Sequence, residues 1–170
     1  MCAIEAGKRG RKVLVVDHAA APGEKIRISG GGRCNFTNIH AGPANFISAN
    51  PHFAISALRR YTQKDFVAWV EREGIAYHEK TLGQLFCDDS AKQIIEMLTR
   101  AMRANGVELR LRTAVEKIEK TDGGFRLALP HGAVTCASVV IASGGKSIPS
   151  MGATGFGYEI AQQFGLNIVE

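Results

Sequence analysis

The tightest constraint on the fold of this chain is a pair of near-continuous apolar runs, KVLVVD at Lys12 to Asp17 and ASVVIAS at Ala137 to Ser143. A strand with one face in water alternates polar and apolar residues, whereas a run without alternation needs cover on both faces. A parallel sheet with helices on both sides supplies that cover. Ahead of the first run, MCAIEAGKR has helical character, with small apolar Cys2, Ala3 and Ala6, and Gly10 stops it. The chain therefore reads as starting inside the helix of a β-α-β unit, a start that leaves a central sheet position to residues upstream.

Between the runs, a glycine-rich loop is followed by a polar, irregular stretch to about Asn50 and then by two short helical segments. The second follows Thr62, carries Asp65 at a capping-box position and apolar Phe66, Val67 and Val70 on one side, and closes at Gly74. Ser90 is placed to cap a helix whose Ile94, Ile95, Leu98, Ala101 and Met102 form one apolar face before Asn105 and Gly106 end it. From Val107 the period shortens. VELRL, AVEKIEK, FRLAL and VTC, with turns at Asp122 to Gly124 and at His131 and Gly132, predict the antiparallel strands of a meander. ASVVIAS then returns to the parallel type. This order predicts an α/β fold, a partial doubly wound, Rossmann-like domain with a small antiparallel β-meander as crossover.

Composition narrows the class. With 45% hydrophobic and 22% charged residues and 19 glycines in 170 residues, the chain can build a core, and disorder is not indicated. No apolar run approaches the roughly 20 residues of a membrane helix, and the N-terminus lacks the basic-then-apolar order of a signal peptide. The expected location is cytoplasmic, with no membrane partner. Cys2, Cys34, Cys87 and Cys136 form no C-x-x-C, so spacing suggests reduced thiols and neither zinc nor a dithiol pair. The net charge is +5, and its densest cluster, Lys8, Arg9, Arg11 and Lys12, has no aromatic residues among it. Such a cluster reads as a solvated corner, so nucleic acid is not expected as a partner.

Four motifs invite chemistry. Asp17 ends the first buried run, where an acid either takes a ribose hydroxyl or caps a loop; both readings stand. GGKS, Gly144 to Ser147, imitates the end of a P-loop. Val140 stands where that motif needs glycine and Pro149 where it needs helix, which excludes nucleotide triphosphate hydrolysis. In GATGFG, Gly152 to Gly157, Thr154 is placed to cap a helix starting near Gly157. The strongest is SGGGRCNFTN, Ser29 to Asn38: consecutive glycines let backbone approach a flat ligand, and Arg33 adds a charge suited to phosphate. A flexible or self-packed loop does not call for Arg, Cys and two Asn directly after the glycines, which favours binding. Cys34 reads as a small buried or ligand-adjacent thiol.

GEKIRISGGGRCNFTN together with VVIASGGKSIPSMGATGFGYEIAQQFG resembles the bacterial family of NAD(P)/FAD-dependent oxidoreductases that includes aminoacetone-oxidase-like and bile-acid-reductase-like flavoproteins. The family is similar to glutathione-reductase-type flavoproteins. The resemblance implies FAD as cofactor, with NAD(P)H as a further candidate. It implies that Asp17 takes the adenosine ribose and that Lys25 and the loop Ser29, Gly30, Gly31, Gly32, Arg33, Cys34, Asn35, Thr37 and Asn38 line the pyrophosphate and isoalloxazine. Val115 would meet the adenine through its backbone, and Ala142, Ser143, Gly144 and Gly145 match the family's Ala-Thr-Gly-Gly turn, continued by Lys146, Ser147 and TGFGY. Ser143 replaces the usual threonine, and Cys87 stands where proline is common. By the same resemblance, residues 1–170 are an incomplete FAD-binding domain, its first strand and glycine fingerprint expected upstream and its substrate domain and last FAD segment downstream.

The function implied is that of a flavoenzyme passing a hydride or electron pair between NAD(P)H or oxygen and a small organic substrate. No motif places a catalytic acid or base, and His40, His52 and His78 stay unassigned. Two other classes remain: a non-catalytic fragment or FAD-fold binding module, and a basic RNA- or DNA-binding protein, whose signature is strongly salt-dependent retention.

Overall fold

The computed structural model describes residues 1–146 and 154–169. The chain divides into two compact units. The first joins residues 1–10 to residues 23–106, and the second joins residues 11–22 to the described residues from Val107 onward.

The first unit opens with α1, Cys2–Lys8, closed as expected before Gly10. Its largest element is α5, Ala91–Ala104. The Ser90 hydroxyl accepts from the Lys92 amide at 3.2 Å, satisfying one of the amides a helix start leaves open. Buried Ile94, Ile95 and Met97 form its inner face. Each such side chain contributes about 1.5–3 kcal/mol on full burial. Helices α3, Ile55–Arg60, and α4, Gln63–Arg72, fill the predicted helical region. At the start of α4, the Thr62 amide donates to Asp65 Oδ2 at 2.7 Å and the Asp65 amide donates to Thr62 Oγ1 at 3.3 Å, the reciprocal box read from sequence. Val70 and Ile75 then pack with Cys34, Cys87, Ala91, Ile94 and Met97 in one core.

Two features of this unit differ from expectation. The stretch before Gly30 is not loop: Glu24–Ile28 forms a short helix, α2, closed by a tight turn at Ser29–Gly32. The residues after the glycines, expected to be irregular, form strand β2, Asn35–Asn38, at the edge of a three-stranded antiparallel sheet. Its neighbour β4, Gln84–Cys87, is central, and β3, Tyr77–Glu79, lies on the far side. The register pairs Asn35 with Phe86 and Tyr77 with Cys87. Short strands carrying Asn, Thr, His and Glu show no apolar run, so their pairing is fixed by a neighbour distant in sequence and not by local pattern.

In the second unit, β1, Val13–Val16, pairs in parallel with β5, Val107–Arg110, from Val13 opposite Val107 to Val16 opposite Arg110. VELRL was expected to open the meander; it belongs instead to the parallel pair. Its alternation of inward Val107 and Leu109 with exposed Glu108 and Arg110 marks one covered face, and that pattern is common to both strand types. The meander itself is β6, Lys117–Thr121, β7, Gly124–Leu129, and β8, Gly132–Cys136. Ile118, Leu127 and Leu129 bury against Ile160 of α6, Phe156–Gln163.

The second apolar run corrects a further expectation. Residues 137–143 form no strand, and Val140 is 64% exposed. A parallel strand exists through its ladder, and among the described residues none hydrogen-bonds to this run. Only its Val139 joins the core.

Candidate functional site

The glycine turn is held in shape by its own backbone. Gly30, Gly31 and Gly32 have φ of 60°, 66° and 88°, the left-handed region that a Cβ disfavours. Below the turn, the Ser29 hydroxyl donates to the Ile26 carbonyl at 2.9 Å and the Cys34 amide donates to the Ser29 carbonyl at 2.9 Å. Beyond it, the Cys87 amide donates to the Arg33 carbonyl at 3.0 Å, tying the turn to β4. Gly30 lies on Phe86, whose ring a Cβ would meet at 2.5 Å, whereas a Cβ on Gly31 would meet nothing within 4 Å. One glycine is thus pressed against the sheet and the next faces open space. The turn is a fixed arch with an open outer side.

The side chains around the arch divide by role. Lys25, Arg33 and Asn35 are exposed, and Thr37 and Asn38 are half-buried. Asn38 is already engaged with protein: its Nδ2 donates to the Leu82 carbonyl and its Oδ1 accepts from the His40 amide, both at 2.8 Å. Cys34 is 4% exposed and adopts φ 55°, and burial pushes its thiol above the ordinary range, so it is a packed group and not a nucleophile. Motif reasoning assigned nothing to His78. It bonds through Nδ1 to Asp88 Oδ1 at 2.7 Å and stacks on Phe86 with ring centres 6.2 Å apart, while Lys80 Nζ sits 5.3 Å from the centre of the same ring. The separation of ten positions between His78 and Asp88 hid this pair from spacing rules.

The remaining sequence-predicted residues belong to the second unit. The Asp17 amide donates to the Arg110 carbonyl at 2.9 Å, and its Oδ1 accepts from the Ala19 amide at 2.9 Å. The carboxylate braces its own loop with one oxygen, and Oδ2 has no partner among the described residues. Val115 is half-buried against the Ile118 core. Ala142, Ser143 and Gly144 are exposed and Gly145 half-buried. This turn runs against the start of α6: a Cβ on Gly157 would come within 2.9 Å of Ser143 Oγ, and one on Gly145 within 3.3 Å of the Tyr158 hydroxyl. Lys146 Nζ lies 5.2 Å from the Tyr158 ring centre. Thr154 Oγ1 accepts from the Phe156 amide at 3.3 Å, so Thr154 does serve the start of α6, one residue earlier than expected. Ser147 and Pro149 lie outside the described residues. No three His, Cys, Asp or Glu side chains converge as metal ligands among the described residues.

In the second unit, a parallel β1–β5 pair with an acid at its carboxyl end and a Gly-Gly turn against a helix start carry the pattern of a Rossmann-type α/β fold. The chain belongs to the HI0933-like protein Rossmann domain family, which matches residues 1–170 and is an FAD-binding family. It is 53% identical over 168 residues to a ribosomal RNA dihydrouridine synthase of Escherichia coli (strain K12), covering 99% of this chain and 42% of that protein. A protein of the same name from Haemophilus influenzae (strain ATCC 51907 / DSM 11121 / KW20 / Rd) is 46% identical over 172 residues, 99% of this chain and 43% of that one. A 3-dehydro-bile acid delta(4,6)-reductase of Clostridium scindens (strain ATCC 35704 / DSM 5676 / VPI 13733 / 19) is 25% identical over 155 residues, 91% of this chain and 38% of its own length. The chain thus spans under half the length of these relatives.

These relatives correct one expectation outright. Nucleic acid was excluded as a partner, yet two relatives carry RNA in the name of their reaction. The exclusion rested on the Lys8 to Lys12 cluster alone, which says nothing of charge elsewhere. No helix among the described residues is long and apolar enough to cross a membrane.

Proposed function

We propose that this chain is the Rossmann-type portion of an FAD-dependent oxidoreductase that reduces a uridine of ribosomal RNA to dihydrouridine. The observation that carries the reading is the 53% identity, over 99% of the chain, to a protein named for that conversion. RNA takes the place of the small organic substrate expected from sequence, and a reduced nicotinamide is the electron source we assign.

The residues present fit a flat, anionic cofactor. The arch has an open outer side at Gly31, where a Cβ would meet nothing, and an exposed Arg33 at its end. The unpartnered Asp17 Oδ2 at the end of β1 suits a ribose hydroxyl. We assign the pyrophosphate and ring region to Lys25 and Ser29 to Asn38, the ribose to Asp17, the adenine edge to the Val115 backbone, and the returning wall to Ala142 to Gly145. Asn38, with both side-chain ends engaged, acts by fixing the Leu82 turn and not through its amide. Reduction of uridine adds a hydride and a proton across the C5–C6 double bond, and bound FAD supplies hydride chemistry of this kind. The protein's part is to hold, orient and keep dry. Cys34 and Cys87, buried and with thiols pushed above the ordinary range by burial, belong to the core on which the arch is built.

The test is a titration of the 170-residue protein with FAD, followed by flavin fluorescence and visible absorbance. A stoichiometric endpoint that is lost in Gly31→Val, with the circular dichroism of the variant unchanged, supports the assignment. Equal binding by Gly31→Val removes the arch from the site.

A further inference from the structure

Residues 25–64 contain Lys25, Arg27, Arg33, Arg59, Arg60 and Lys64 and not one Asp or Glu. Within the stretch Arg27 lies 3.8 Å from Glu24, just outside it, and elsewhere several basic side chains also sit beside carboxylates: Lys8 and Arg9 by Glu5, Arg100 by Glu73, Arg110 by Glu108, and Lys117 and Arg126 by Glu119. Arg59, Arg60 and Lys64 have no such partner among the described residues. The same stretch exposes large apolar side chains that a protein surface ordinarily covers: Phe46 is 50%, Phe53 81% and Ile47 98% exposed. The same stretch forms a shallow hollow of about 470 Å³ lined by His52, Ile55, Ser56, Arg59 and Arg60.

We infer that this face, centred on α3 with Phe53 beside it, docks a single-stranded or looped segment of RNA, an inference that rests on the RNA-directed reading above. Unpaired cations and a missing counter-charge match a phosphate backbone. Exposed rings beside them match unstacked bases, because sequence-tolerant stacking on aromatic side chains is how single strands are held. A fully paired RNA offers no free base faces to Phe53 and would gain only from the charges. A lipid surface fits less well: α3 has six residues, too short to lay an apolar face along a bilayer.

The experiment measures fluorescence anisotropy of a labelled RNA hairpin with an unpaired loop, and of a fully paired duplex of equal length, against the 170-residue protein across a salt series. The wild type binds the looped RNA more tightly. Arg59→Gln with Arg60→Gln weakens binding and lowers the slope of log affinity against log salt by about 1.4, at about 0.7 per single-strand phosphate contact. Phe53→Ala weakens looped RNA about tenfold, within the range of one lost base stack, and leaves the salt slope unchanged. Lys120→Gln, in β6, has no effect. Binding that is indifferent to these substitutions, equal for loop and duplex, or absent from the wild type overturns the proposal. The same samples are titrated with FAD: FAD binding by a wild type that does not bind RNA sinks only this face, whereas loss of both ligands from the wild type sinks the functional reading too.

Discussion

Gly30 and Gly31 share a left-handed backbone, and their different surroundings make them a test of what the arch requires. Alanine at Gly31 meets open space and pays only for its φ, about 1 kcal/mol. Alanine at Gly30 adds a collision with the buried Phe86 ring, so its expected cost is about 2–4 kcal/mol. Urea unfolding of both variants checks the order; equal costs would mean that Phe86 moves aside. Cys87 makes a second prediction. Burial first, and then its neighbour Cys34, push its thiol from 9.0 to about 11. The native state therefore holds a proton that the unfolded chain releases, so the contribution to stability is complete below about pH 9 and is lost as pH rises toward 11. The thermal midpoint of the wild type falls across that window, and Cys87→Ala flattens the fall; parallel curves would contradict it. The glycine triplet was legible because a backbone requirement is written in the residue itself, whereas Asp88 as partner of His78 was not, because strand register brings the two together.

At the scale of elements, what is local was readable. Thr62 and Ser90 cap the helices they were read to cap, since the cap and the amide it satisfies lie within three residues. Ser90→Ala is expected to cost about 1 kcal/mol in urea unfolding, and Ile94→Ala, in the core face of the same helix, about 2–5 kcal/mol. A Ser90→Ala cost equal to that of Ile94→Ala would mean that the cap organises more than α5. Strand partners were not readable. VELRL carries the same alternation whether its neighbour is parallel β1 or an antiparallel hairpin arm, and only the long excursion between β1 and β5 decides it. ASVVIAS shows the complementary limit: an apolar run states what a strand needs, and the ladder it needs must come from elsewhere.

Across the whole chain, the sequence carried the class of fold and of cofactor, and misjudged the partner. The α/β order and two glycine motifs pointed to a Rossmann-type domain, which family membership establishes. The charge reading stopped at the densest cluster, Lys8 to Lys12, and passed over a stretch whose signal is the absence of Asp and Glu between Lys25 and Lys64. That absence, together with exposed Phe46 and Phe53, is the feature on which the proposed RNA-docking face rests. The claim that joins these scales is that the protein reduces uridine in ribosomal RNA. Its most direct measurement is the dihydrouridine content of ribosomal RNA, by mass spectrometry of nuclease fragments, from cells with and without the gene for this protein. The account predicts that one fragment loses the two added hydrogens when the gene is absent and regains them when it is restored. Identical fragments from both cells would contradict it.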